Sequence, residues 1–390
     1  MAETVEDLAM KSEANPISDK PRGDLRTADR PLRIMHVNHT MDLGGTEIML
    51  LDLANGQKRL GHHVTICSMY GPGILDEKAR SCGLSVVHLR SGNRLRNKVK
   101  LLTAYLKANP QDVIQSHWGV WLATALSGFL AGTPRVHTHH ANQQRRLFLE
   151  HRVASLFTNK VVVLTPQVDD YIKKWVRVPK RKIAVIPNGI DLSRVQNERR
   201  IELDGIPSHV PVIGMVARLS PPKDYSTFMQ AAKIVLRRFP EAHFIAVGDG
   251  KLRAQLEAEK VQLGIPNFNF LGNRLDVPAI LRRMTLNVLA TRNEGLSITL
   301  LEAMASGCPC IASDIPANRF ALDDGSCGLL PPGNDPEALA AAIESLLKDE
   351  PLRVGLSERA TKRSAYFTVE RMTSDYVELY TRLLTNVPRA

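Results

Sequence analysis

PLRIMHVNHTMDLGGTEIMLLDLANGQKRLGHHVTICSM, residues 31–69, carries the pattern of the whole chain in miniature. RIMHVN (33–38) reads as a strand, TEIMLLDLANGQKRLG as an amphipathic helix ending at Gly61, and HVTICSM as a second strand. Strand, helix and strand in that order form a βα unit on a parallel sheet. SVVHL, DVIQSH and RVHTHH extend the series with helices between them, and KVVVLTP and KIAVIP close it. The pattern lapses around residues 195–210 in the polar, Pro-containing QNERRIELDGIPSHVP, which reads as a linker.

It then restarts. PVIGMVARL, HFIAVGDG, FNFLGN, LNVLAT and CPCIASD are strands, separated by the helices STFMQAAKIVLRRF, KLRAQLEAEKVQLG, VPAILRRM, SITLLEAMASG and PEALAAAIESLLKDE, and Thr368 to Leu384 has the spacing of a last helix. The expectation is an α/β protein of two Rossmann-like, doubly wound parallel-sheet domains, residues 31–200 and 205–367, with a terminal segment over 368–390. Ligands of open α/β sheets bind beyond the carboxyl ends of the strands, so two such domains facing each other form a cleft suited to a two-substrate transferase.

Length and composition agree with this division. A chain of 390 residues exceeds one compact core. Its apolar runs, the longest near Trp118 to Ala131, are too short to span a bilayer, which points to a soluble cytoplasmic protein. Residues 1–30 are polar and lack the layout of a signal peptide, so they read as a disordered lead. The five cysteines have no metal or redox spacing and read as buried thiols. Charge is uneven: Lys and Arg outnumber Asp and Glu by 24 to 9 across residues 51–200, but number 21 against 22 across residues 201–390. The basic first half, with clusters at Arg90–Lys100 and Lys173–Lys182, suits an anionic membrane surface or a lipid-phosphate acceptor. Basic and aromatic residues are not interleaved, which disfavours nucleic acid.

Several familiar motifs are missing. Gly71-Pro-Gly73 and Gly248-Asp-Gly250 lack the third glycine of the dinucleotide fingerprint, and GxxxxGK[ST] does not occur. The candidates for chemistry lie at strand-to-helix turns. Gly44 and Gly45 follow the first strand, where glycine lets backbone approach an anion or simply makes a tight turn. Arg218 and Lys223 follow the strand PVIGMVARL and can neutralise a departing diphosphate without a metal.

The segment Thr291–Gly307 contains Glu294 and Glu302. In one continuous helix they would stand about 80° apart in azimuth and about 12 Å apart along the axis, too far for an acid–base pair. A loop at Glu294-Gly295 and a helix capped by Ser297 is the better reading, with the amides of Leu296 and Ser297 at the positive end of the dipole. His117 and His140 fall at or just past strand ends, where an acceptor-binding or proton-handling group is presented. His137, His139 and His140 have no carboxylate companion, and no metal site is expected.

Taken in order, these residues resemble the retaining GT-B glycosyltransferases of the group 1 type. The Gly-Gly turn, His117, His140, VIPNGID (185–191), Arg218 and Lys223, VGDG (247–250), FLGN (270–273) and EGLSITLLEAMASGCPCIASD (294–314) all fall in the family's order, from Arg33 to about Leu384. The resemblance implies that Arg218 and Lys223 hold the diphosphate, Glu294 meets donor-sugar hydroxyls and Glu302 meets the ribose. It implies that Gly248, Leu271 and Gly272 lie near the base, and that Gly295, Leu296 and Ser297 line the donor. Gly44, Gly45, His117 and His140 belong to the acceptor side, with Gly45 also reaching the donor. It implies a terminal helix packed back on the first domain, retention of anomeric configuration, no metal and no cofactor. The donor would be a UDP- or GDP-sugar and the acceptor a glycan or lipid-linked glycan. Leu296 stands where the family usually carries an aromatic residue. An epimerase of the same build and a non-catalytic binding protein are the competing readings.

Overall fold

The computed structural model describes residues 30–140, 147–167 and 170–385. Of the polar lead only Arg30 is among them, its guanidinium 2.7 Å from the Asp112 carboxylate. The first half runs β1 (Arg33–Asn38), α1 (Gly45–Arg59), β2 (His63–Ser68), α2 (Asp76–Ser81), β3 (Ser85–His88) and α3 (Leu95–Ala108). It continues with β4 (Val113–Ser116), α4 (Trp121–Leu130), β5 (Arg135–His139), α5 (Phe148–Leu156), β6 (Lys160–Val163) and β7 (Ile183–Val185), after which α6 (Leu192–Asn197) packs against the second half. Its seven strands pair in parallel in the order β3-β2-β1-β4-β5-β6-β7. The order reverses direction at β1, so right-handed crossovers put α1 and α2 on one face and α3, α4 and α5 on the other. That reversal is where an open sheet presents its binding crevice.

The second half holds β8 (Val212–Val216), α7 (Tyr225–Val235), β9 (His243–Val247), α8 (Arg253–Leu263), β10 (Phe268–Gly272), α9 (Val277–Arg283), β11 (Leu286–Leu289), α10 (Ile298–Ala305) and β12 (Cys310–Ala312). Then come α11 (Pro316–Ala321), α12 (Pro336–Lys348), α13 (Glu350–Ser364) and α14 (Val369–Thr385). Five parallel strands take the order β10-β9-β8-β11-β12. The fold is therefore two parallel-sheet α/β halves, as the alternation of sequence patterns predicts. The central strands are buried runs, such as VIGMV in β8, because helices cover both sheet faces, whereas the edge strands β3, β7 and β10 are only partly buried.

The chain crosses between the halves twice, and the crossings are tied together. Ile190 N–H donates to the Phe367 carbonyl at 2.9 Å, and Val369 N–H donates to the Ile190 carbonyl at 3.1 Å. A Cβ on Gly189 would lie 2.2 Å from the Thr368 oxygen, so only glycine lets the backbones approach this closely. After the second crossing α14 lies on α1, with Gly56 against Thr373 and with Tyr376 and Tyr380 buried. One apolar cluster joins Ile34, Met49 and Leu53 to Ile298 and Leu301 and to Met372, Tyr376 and Tyr380. Among the described residues no helix is long and apolar enough to cross a membrane.

Candidate active site

Two loops of the second half meet because their backbones pair. Asp224 N–H donates to the Ala290 carbonyl and Arg292 N–H to the Pro222 carbonyl, both at 3.0 Å. This brings the Lys223 ammonium onto the Glu294 carboxylate as a partly buried ion pair. Glu294 and Gly295 are in a loop, and α10 begins at Ile298. The Ser297 hydroxyl accepts from the Leu300 N–H at 3.3 Å, satisfying one of the orphan amides of the helix start. The Leu296 carbonyl accepts from the Asn188 side-chain amide at 2.8 Å, which pins this loop to the first crossing.

The first half supplies the facing wall. Gly44 is the extended residue before α1. A Cβ there would lie 2.5 Å from Glu47 Oε2 and 2.7 Å from Arg218 Nη2. A side chain here would have to displace the ends of Glu47 and of Arg218, whose guanidinium arrives from the other half. Gly45 is less constrained, since a Cβ would meet Ile298 at 3.9 Å. Glu47 is buried and accepts from the Asn38 amide at 3.2 Å. Burial raises its pKa, with the Asn38 hydrogen bond and the Arg218 charge pulling it back.

Gly248 and Gly272 close the ends of β9 and β10. Gly248 N–H donates to the Gly272 carbonyl at 2.7 Å, and a Cβ on Gly248 would lie 2.3 Å from the Ala217 oxygen, beside Arg218. Leu271 is partly buried against the core. His117 and His140 each stand one residue past a strand end, 3.3 Å apart between Nδ1 of His117 and Nε2 of His140. They line a cavity of about 50 Å³ with Trp118, Trp121, His137, His139 and His151. A Cβ on Gly295 would lie 3.2 Å from the His140 carbonyl oxygen, so the second-half loop abuts this histidine directly.

The structure thus gathers Gly44, Gly45 and Arg218, and separately Gly295 and His140, along one seam between the halves. Arg218 and Lys223 face different carboxylates, Glu47 and Glu294. Glu302 is buried one turn inside α10, where Arg194 Nη2 holds its carboxylate at 2.7 Å. Burial raises the Glu302 pKa and Arg194 opposes it. Asp52 of α1 sits in the same charge cluster, and burial pushes it up to about 6. Sequence reasoning passed over Arg194 and Asp52. Asp191 caps α6 by accepting from Arg194 N–H at 3.0 Å, a helix-start signal within VIPNGIDLSR that locates Arg194 but not its partner.

Comparison with known proteins gives a consistent result. The family described as Glycosyltransferase Family 4 matches residues 43–194, and that described as Glycosyl transferases group 1 matches residues 197–363. The UDP-Gal:alpha-D-GlcNAc-diphosphoundecaprenol alpha-1,3-galactosyltransferase of Escherichia coli is 25% identical over 390 residues, covering 93% of this chain and 100% of that protein. The phosphatidyl-myo-inositol mannosyltransferase of Mycolicibacterium smegmatis is 27% identical over 354 residues, covering 86% of this chain and 90% of its own. Among solved structures, Anabaena HepE in complex with UDP and glucose superposes with a TM-score of 0.78 at 18% identity, covering 91% of this chain and 100% of that one.

Proposed function

Because the chain belongs to the GT-B glycosyltransferases of the group 1 type, we propose that it moves a hexose from a nucleotide-diphosphate sugar to a glycan or lipid-linked acceptor, with retention of configuration. The observation that carries this reading is the reach of Arg218 across the seam to Gly44. It sets a fixed cation between the carboxyl ends of both sheets, where a diphosphate would bridge donor and acceptor sides.

In the proposed reaction the bond from the anomeric carbon to the diphosphate oxygen breaks. The acceptor oxygen bonds to that carbon on the same face, and the acceptor's proton passes to the leaving diphosphate. Arg218 and Lys223 neutralise the charge that develops there. Glu294 gives up part of its pairing with Lys223 to take hydroxyl groups of the donor sugar, and Glu302, oriented by Arg194, meets the ribose. Gly248, Leu271 and Gly272 border the base, and Gly295, Leu296 and Ser297 line the donor. Gly44, Gly45, His117 and His140 face the acceptor. No metal takes part.

A panel of UDP-, GDP- and ADP-sugars in a thermal-shift assay tests the donor. A true donor at about 100 times its Kd stabilises the fold by roughly 2.7 kcal/mol. No shift with any of them removes the donor site. Conversion of the donor without an acceptor would instead mark an epimerase.

The acceptor side suits a lipid-linked substrate in synthesis of cell-surface polysaccharide or glycoconjugate, with the protein on the inner membrane face. Leu149, Val153 and Leu156 form an exposed stripe on α5, at one-face helical spacing. Exposed Trp175 lies beyond it among Lys173, Lys174 and Lys180–Lys182, and the basic α3 packs on the same sheet face through α4. Apolar side chains ringed by lysines fit an anionic bilayer surface. Vesicles containing about a third phosphatidylglycerol are expected to retain the protein at low salt, and Leu156→Glu to weaken retention severalfold. Indifference to such vesicles, with transfer to soluble acceptors alone, would refute the membrane reading.

A further inference from the structure

Gln57 lies near the end of α1, its side chain completely buried between His36 and Tyr380. Its Oε1 is 2.7 Å from His36 Nε2. A carbonyl oxygen only accepts, so His36 Nε2 carries the proton and Nδ1 of the neutral ring is bare. His36 Nδ1 is 3.2 Å from His117 Nε2, which must therefore donate. His117 Nδ1 is then the acceptor for His140 Nε2 at 3.3 Å. Each neutral ring repeats the choice made by the one before it, and His140 is left with Nδ1 as an acceptor on the side away from His117.

The amide is tied to a second one at its other end. Gln57 Nε2 donates to the Tyr380 hydroxyl at 3.5 Å, and Tyr380 donates to Gln115 Oε1. Gln115 Nε2 in turn donates to Thr138 Oγ1 at 2.7 Å. Turning the Gln57 amide over by itself would demand two protons from the one Tyr380 hydroxyl, so it can turn only together with the Gln115 amide. The rings are also kept uncharged: burial pushes His36 down to about 4 and His140 to about 3, and holds His117 well below the usual histidine range.

We propose that Gln57, anchored by Tyr380 of α14, is a positioning residue that sets His36, His117 and His140 in one tautomer, so that His140 Nδ1 offers the seam a hydrogen-bond acceptor. Such an acceptor takes a sugar hydroxyl and disfavours a carboxylate or phosphate oxygen, which can only accept. The identification of the hydroxyl as a sugar's rests on the glycosyltransferase reading, whereas the tautomers do not.

Two-bond proton–nitrogen correlation spectra of the full chain labelled with ¹⁵N-histidine read the tautomers directly. Protons on Nε2 of all three rings are expected. A proton on Nδ1 of His117 or His140 overturns the proposal. Gln57→Glu keeps an accepting oxygen beside His36, while Gln57→Leu removes it. The glutamate variant is expected to keep kcat/KM within about threefold, and the leucine variant to lose about tenfold, the order of one hydrogen bond to substrate. A merely structural role predicts the reverse, since leucine buries more easily than glutamate, and equal losses would also overturn the idea. If the leucine variant does not fold, the spectra and the glutamate variant still decide. Should the wild-type chain transfer no sugar at all, the function reading fails while the tautomer result stands.

Discussion

Glu294 and Lys223 hold each other at the seam, so a change at either strands a partly buried charge. Glu294→Ala is expected to lower turnover by at least about 100-fold, the usual cost of losing an electrostatic contact to reacting groups. It should leave far-ultraviolet circular dichroism unchanged and most nucleotide affinity intact. Unaltered turnover would take Glu294 out of the site. The residue pattern already separated Glu294 from Glu302, because even in one continuous helix the carboxylates would stand too far apart to act as a pair, and the helix begins only after Ser297. What spacing could not supply was the company each carboxylate keeps. Arg194 reaches Glu302 from 108 residues away in sequence, and Glu47 meets Arg218 only because two separate sheets abut. Helical periodicity carries information over a few turns and none over that distance.

At the level of elements, α1 and α14 owe their close contact to Gly56. In an exposed helix Gly→Ala stabilises by roughly 0.5–1 kcal/mol. Here the added Cβ would lie 2.3 Å from Thr373 Oγ1 and 3.2 Å from Thr373 Cβ. Overpacking then decides the sign, and Gly56→Ala is expected to destabilise by about 1–3 kcal/mol. Urea unfolding measures this, and a raised midpoint would show that α14 yields without cost. The long amphipathic helices and every strand were readable from apolar spacing. α13 was not, since its charge-rich sequence ERATKRS gives little apolar periodicity and the helix rests on its Asp349 cap and on packing against α10. The short α2, α6 and α11 escaped for a different reason. At six residues each they hold too few turns for a period to emerge.

For the molecule as a whole, buried histidines tie stability to pH. His36, His117, His137, His140 and His151 are all pushed below the usual histidine value by burial. The unfolded chain therefore binds protons that the folded one refuses, beginning near pH 6.5. Stability is full above that value and falls as pH drops toward about 4, at about 1.4 kcal/mol per group and pH unit. Asp52, raised to about 6, and Glu47 and Glu302, also raised by burial, work in the opposite direction over part of this range, but they are three groups against five. A steep fall in the urea midpoint between pH 6.5 and 5 is expected, and a flat profile would mean that these rings stay hydrated in the fold.

The docking of α14 on the first sheet has a consequence for how the chain can be made. Tyr376 and Tyr380, which complete the hydrogen bonds of Thr138, Gln115 and Gln57, are synthesised only after the sheet of the second half. During translation the first half therefore waits, with its polar sockets open, until α14 emerges from the ribosome. Assembly of the two halves is in that sense a closed loop, in which α14 finishes the sheet that was begun before the second half.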